Sequence, residues 1–167
     1  RSIHKLQNNI PTLYIDTEMS DRLFYERMLA NVSGVTVKQI KTGKYSEEEA
    51  QKIAKAREWI DSKPFIHLYD PQMSMEQLYT ICRGQIHRMG LQFVIYDYIK
   101  SDVISSSEQY NELGNKCDFL KNSIAGDLEL AVLAGAQLNR QNQLADSDKL
   151  ERYASVSMLW QDKTAEE

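Results

Sequence analysis

The chain is poor in the residues that staple or stiffen a small fold: it has two cysteines, three prolines and seven glycines in 167 residues. Cys82 and Cys117 stand far apart and match no C-x-x-C spacing, which removes a disulfide framework and a cysteine zinc site from consideration. Both read as reduced packing residues. His4, His67 and His87 are scattered, so a histidine metal centre has no support either. No apolar run approaches the roughly 18 to 20 residues of a membrane span, and the N-terminal stretch lacks the order of a secretory signal. A soluble cytoplasmic domain with no membrane partner is expected. Positive charge is not in excess: 20 Lys and Arg against 24 Asp and Glu leave a net charge of −4. Bulk electrostatics therefore does not announce a nucleic-acid binder, and any phosphate contact must come from local loops. Repeats, low-complexity segments and a Pro/Gly-rich linker are missing too. What remains, 42% hydrophobic and 26% charged, fits one globular domain over residues 1–167 with a sizeable core.

Short apolar runs alternate with helical patterns. Thr12 to Asp16 follows Pro11 and Phe65 to Tyr69 follows Pro64, and both are β-prone. Phe93 to Tyr96 and Ala131 to Ala134 are apolar on both faces, as strands covered by helices on each side would be; Val156 to Trp160 is a fifth candidate. Between them, Ser20 can cap a helix ending at Gly34. Thr36 with Gln39 and Ser74 with Gln77 form capping-box patterns, and Ser46 precedes three glutamates at a helix start. A further helix is expected over about 108–125, with Leu113, Cys117, Leu120 and Ile124 on its apolar stripe. Trp59, Trp160 and the methionines fall among packing positions. Alternation of this kind predicts an α/β fold with a mainly parallel sheet, whose ligand site lies beyond the carboxyl ends of the strands.

Polar residues gather at those ends. Asp16-Thr17-Glu18-Met19-Ser20 follows the first run, Asp97-Tyr98 ends the third, and Gln137-Leu138-Asn139-Arg140 follows the fourth. Phosphoryl transfer needs a carboxylate near magnesium, a second carboxylate to orient or deprotonate the attacking water, and a polar group that senses the γ-phosphate. Asp97, Glu18 and Gln137 can fill those roles in that order. Singly, such acids are commonly helix caps or solvated loop residues; it is their coincidence that points to a nucleotide site.

Five motifs in order, Tyr14-Ile15-Asp16-Thr17-Glu18-Met19-Ser20, Arg27-Met28-Leu29-Ala30, Ile40-Lys41-Thr42-Gly43, Val94-Ile95-Tyr96-Asp97-Tyr98-Ile99 and Ala136-Gln137-Leu138-Asn139-Arg140, resemble the ATPase domain of replicative DNA helicases of the DnaB type. The likeness runs over nearly the whole chain. It implies a RecA-like P-loop NTPase fold, a homo-hexameric ring, ATP and Mg2+ as cofactors, and single-stranded DNA in the channel. It assigns Glu18 as the water-activating carboxylate, Asp97 as the Walker B acid that holds magnesium directly or through water, and Gln137 as the γ-phosphate sensor. Primase and a helicase loader are the further partners it implies, in a bacterial or phage-infected cell.

Two parts of that family's pattern are not found in these residues. The phosphate loop G-x-x-x-x-G-K-[ST] is one, and the hairpin carrying an arginine finger is the other. The domain is thus expected to be incomplete at both ends, and these residues alone to hydrolyse ATP barely above background. Loops after the third and fourth strands would face DNA, which makes Lys100, Arg140, Lys149 and Arg152 the candidate contacts, each weighed against an ordinary solvated charge. Competing readings are a recombinase or clock-type ATPase with the same strand-end acids, and a non-catalytic assembly module lacking a phosphate loop.

Overall fold

Pro11 and Pro64 each lead into a strand, because a proline fixes an extended entry and gives up no ladder hydrogen bond at that position. The structure, a computed structural model, describes residues 7–101, 106–137 and 152–158, with the backbone alone for 106–110. Its strands are β1 (Thr12–Asp16), β2 (Phe65–Tyr69), β3 (Phe93–Ile99) and β4 (Ala131–Ala136). All pair in parallel in the order β2-β1-β3-β4, so β1 and β3 lie in the middle. Helices fill the crossovers: α1 (Asp21–Ser33), α2 (Val37–Thr42), α3 (Glu47–Asp61), α4 (Met75–Met89) and α5 (Ser106–Phe119), which widens into a π-helix over Leu120–Asp127. No helix among the described residues is long and apolar enough to cross a membrane.

The capping signals at Thr36, Ser46 and Ser74 each form a capping box, whereas Ser20 precedes α1 without a side-chain capping bond. Ser46 and Ser74 each accept the backbone N–H three residues on, and Glu49 and Gln77 reach back to the cap backbone. Gly90 stops α4 at φ +64°, a left-handed conformation that costs a glycine little and lets its N–H reach Ile86 O. The expected helix over 108–125 is the α5 and π-helix pair, and all four stripe residues are buried.

Strand periodicity of two divides the sheet between two cores. Leu13 and Ile15 of β1, with Val94 and Tyr96 of β3, pack under α4, α5 and the π-helix against Leu78, Cys82, Leu113, Cys117 and Ile124. On the opposite face α1 and α3 clasp Met28, Leu29, Ala56 and Ile60, with Phe24, Trp59 and Phe65 against them. Thr12, Tyr14 and Asp16 point to that second face, in register with Phe65, His67 and Tyr69 on one side and Phe93, Ile95 and Asp97 on the other.

Two expectations need correcting. Burial on both faces holds for β3 but not for β4, where Ala131, Ala134 and Ala136 are exposed. Among the described residues β4 has a strand on one side only, so less of the fold covers it. The run from Val156 is not a strand over residues 156–158, where Val156 and Met158 are 77% and 62% exposed. A short apolar run becomes a strand only when a neighbouring strand takes up its backbone groups, and among the described residues the sheet offers none there. Residues 159–160 lie outside the described part.

Candidate active site

Parallel register brings Asp16 and Asp97 side by side at the carboxyl ends of the two central strands, on the face shared with α1. Directly opposed carboxylates repel, so each must be satisfied separately. Asp16 is 2% exposed and closes a tight turn: its Oδ1 accepts the backbone N–H of Glu18 at 2.8 Å and of Met19 at 2.6 Å. Its Oδ2 lies 3.3 Å from His67 Nε2, and His67 Nδ1 lies 2.7 Å from Asp21 Oδ1. Asp97 takes a hydrogen bond at Oδ2 from the Tyr14 phenol. Burial first, then the hydrogen bond and charge of Asp97 and the charge of Asp16, push the Tyr14 phenol far above its usual value, so it remains a donor.

Thr17 knots the two strand ends together. Its N–H donates to Asp97 O at 2.9 Å, and its hydroxyl accepts from Tyr98 N at 3.3 Å. A register shift between Tyr96 and Ile99 bulges β3 away from β4 at this point. Gly135 of β4 sits against the bulge so closely that a Cβ there would lie 3.3 Å from Tyr98 Cβ and 3.5 Å from Asp97 Oδ1. Glu18, exposed, projects from the Asp16 turn. Burial, followed by the Glu18 carboxylate it faces, raises the pKa of the Tyr98 phenol.

The result is a cleft of about 230 Å³ lined by Asp16, Glu18, Met19, Leu23, Arg27 and Asp97. Two of the three residues expected to be catalytic, Glu18 and Asp97, therefore line one cleft, and Arg27 lines it with them. Gln137 stands exposed one residue beyond β4 and does not line this cleft. Of the candidate DNA contacts, Arg152 is exposed. Lys100 is half-buried, its ammonium donating to Thr17 O at 3.4 Å, and its own carbonyl accepts from Lys116 Nζ at 2.7 Å. Arg140 and Lys149 lie outside the described residues.

Sequence reasoning gives no site role to Tyr14, Asp16, Arg27 or His67, although the first three stand in the motifs quoted above. The first two had a legible signal: in a strand of period two ending in Asp, the residue two before the end shares its face. His67, set aside as a scattered histidine, has none, because its partners are 46 and 51 residues away.

Magnesium usually keeps several waters and takes one or two carboxylates. Asp97, with its Oδ2 steadied by Tyr14 and its carboxylate at the cleft, suits that demand. Among the described residues no group of three or more His, Cys, Asp or Glu forms an all-protein cage.

Residues 2–160 match the family model described as the DnaB-like helicase C-terminal domain. Curated relatives include the replicative DNA helicase DnaB of Leifsonia xyli subsp. xyli, 25% identical over 178 residues that cover 97% of this chain and 38% of that protein. The replicative DNA helicase DnaB of Treponema pallidum is 25% identical over 164 residues, covering 92% of this chain and 37% of that protein. The chain thus spans about 38% of the length of the first of these relatives. Among solved structures, a DnaB-like replicative helicase described with its interactions with primase superposes with a TM-score of 0.77 at 20% identity, over 89% of this chain and 39% of that one. A second solved structure, described as an ATPase domain, gives the same TM-score and identity, over 89% of this chain and 58% of that one. The fold is RecA-like.

Proposed function

The chain belongs to the DnaB-like helicase C-terminal domain family, and on that premise we propose that it is the ATP-hydrolysing domain of a replicative DNA helicase. It works as a homo-hexamer that pulls single-stranded DNA through a central channel and unwinds duplex, in the cytoplasm of a bacterial or phage-infected cell. The observation that carries the reading is the meeting of Glu18 and Asp97 in one cleft at the carboxyl end of a parallel sheet.

Asp97 holds magnesium there, directly or through water, and the bound ion supplies charge that offsets the negative phosphates. Glu18 orients the attacking water and takes its proton at the carboxylate. Its exposure in the cleft and its anchored backbone turn suit that work. Arg27, the cation among the lining residues, draws the anionic nucleotide toward the two acids. Gln137 senses the γ-phosphate and passes the change to the segment after it, in which Arg140, Lys149 and Arg152 contact DNA, with Lys100 on the loop after β3. Primase and a helicase loader are partners of the assembled protein.

Substitution in the full-length protein tests the assignment. Glu18→Gln should leave ATP binding nearly intact and cut hydrolysis at least 100-fold or so, since it removes the water-orienting charge and little ground-state contact. Asp97→Asn should instead raise the magnesium concentration needed for half-maximal turnover. Strand displacement should be lost with both. If the two variants behave alike in the magnesium titration, the division of roles is wrong, and if both hydrolyse ATP normally the cleft is not the active site.

A further inference from the structure

His67 has no part in the scheme above, yet both of its ring nitrogens face carboxylates and its ring is stacked on Phe24 with centroids 3.8 Å apart and planes 15° from parallel. Its side chain is 9% exposed. The outer nitrogen is moored to Asp21 at the start of α1, at 2.7 Å. Asp21 also accepts Tyr69 N–H at 3.2 Å, so helix and strand share this anchor. The inner nitrogen faces Asp16 Oδ2 at 3.3 Å, the oxygen that the turn does not use.

We infer that His67 is a positioning residue for hydrolysis, acting through Asp16, whose carboxylate it orients so that the Glu18 turn keeps its shape. The inference rests on the assignment of Glu18 as the water-orienting carboxylate. A buried carboxylate with one oxygen unmatched would rotate toward the cleft, and that rotation loosens its grip on Glu18 N–H and Met19 N–H. Glu18 is two residues from Asp16, so a turn that rotates carries its carboxylate with it. Misplacement of a catalytic group by about 1 Å can cost on the order of 100-fold in rate. His67 lines a separate cavity from the one holding Glu18 and Asp97, so nucleotide affinity should not depend on it directly.

The experiment compares His67→Phe, Asp21→Ala and Glu18→Gln in the full-length protein by steady-state ATPase kinetics, with thermal melts on the same preparations. Phenylalanine keeps the stack on Phe24 and removes only the two polar contacts. Turnover should fall roughly 10- to 100-fold in His67→Phe while KM for ATP stays within about twofold. Asp21→Ala, at a side chain 69% exposed, serves as the folded control should the Phe variant melt below the assay temperature, and should lose turnover severalfold in the same manner. Adding His67→Phe to Glu18→Gln should cause no further loss, because the group being positioned is already gone. If Glu18→Gln abolishes hydrolysis while folded His67→Phe or Asp21→Ala turns over within twofold of the parent, the inference falls and the active site stands. If Glu18→Gln itself hydrolyses normally, the assignment beneath both is overturned.

Discussion

Tyr14→Phe removes one oxygen atom from the molecule and isolates a single interaction. The ring is buried against Phe24 and His67, with centroids 4.9 and 5.5 Å away, and phenylalanine keeps both contacts. What is lost is the hydrogen bond from the phenol to Asp97 Oδ2. A bond to a charged acceptor is worth about 1.5–3 kcal/mol. Because Asp97 lines the cleft, water can take up part of the loss, which places the cost near the lower end, about 1.5 kcal/mol. For a chain of this size each kcal/mol moves Tm by roughly 2–4 °C, so the shift should be about 3–6 °C. Burial and Asp97 both hold the phenol protonated, so the effect should persist unchanged through the neutral and mildly alkaline range. Released from its donor, Asp97 should hold magnesium less well, and the half-saturating concentration should rise severalfold. The assay is a thermal melt and a magnesium titration of turnover on parent, Tyr14→Phe, Asp97→Asn and the double variant. Coupling below about 0.5 kcal/mol in that cycle, with Tm unchanged, would refute the claim that Tyr14 steadies Asp97.

Other outcomes follow from the same contacts. Gly135→Ala should cost about 1–2 kcal/mol of stability in a denaturant titration and weaken the magnesium response, because its Cβ would press on Tyr98 Cβ at 3.3 Å and lie 3.5 Å from Asp97 Oδ1. Burial pushes the Cys82 and Cys117 thiols up to about 12 and about 11, above the ordinary value of 9.0. The unfolded chain therefore loses those protons first, and their contribution to stability is whole below about pH 9 and falls above it. The expected loss is up to about 1.4 kcal/mol per thiol per pH unit, and native alkylation at pH 8 should be slow. Gln137→Ala should leave stability within about 0.5 kcal/mol, since the residue is exposed, and should remove most of the stimulation of ATPase turnover by single-stranded DNA. A parallel fall in stability, basal turnover and stimulation would instead assign it to packing.

Strands and helices were legible where local chemistry was unopposed. Proline entries, apolar runs of five residues and serine caps with Glu or Gln three residues on all act within one turn or one strand, so the sequence carries them directly. The run at Val156 looked no different from the run at Phe93, but the latter has a strand on either side and the former has none among the described residues. Pairing across the sheet decides between them, and a linear pattern does not contain it. The site divides in the same way. Glu18 and Asp97, which line one cleft, could be nominated from the sequence because parallel sheets collect ligands at strand ends, a rule about position alone. Tyr14, Asp16 and His67 became visible through register, which sets Tyr14 opposite His67 and Asp16 opposite Asp97. Ser20 was read as a cap and stands at that position without a side-chain capping bond, while its neighbour Asp21 turns outward to His67 and Tyr69.

Three carboxylates within one turn and two adjacent strand ends would ordinarily destabilise the fold, and the way each is treated separates their chemistry. Asp16, almost fully buried, is matched by two backbone N–H groups and an imidazole, so its charge is consumed internally and it can only hold shape. Asp97 is half-buried and gives one oxygen to Tyr14, which fixes its direction while the cleft still reaches it; such a group suits a cation. Glu18 alone is exposed, on a backbone that the first acid immobilises. A water-orienting base needs that combination of a fixed main chain and an accessible carboxylate. Under the roles proposed above, the order of burial, Asp16 then Asp97 then Glu18, runs from scaffold through metal to reacting water. Exchanging Asp16 and Glu18 by mutation would preserve net charge and composition and still abolish the site.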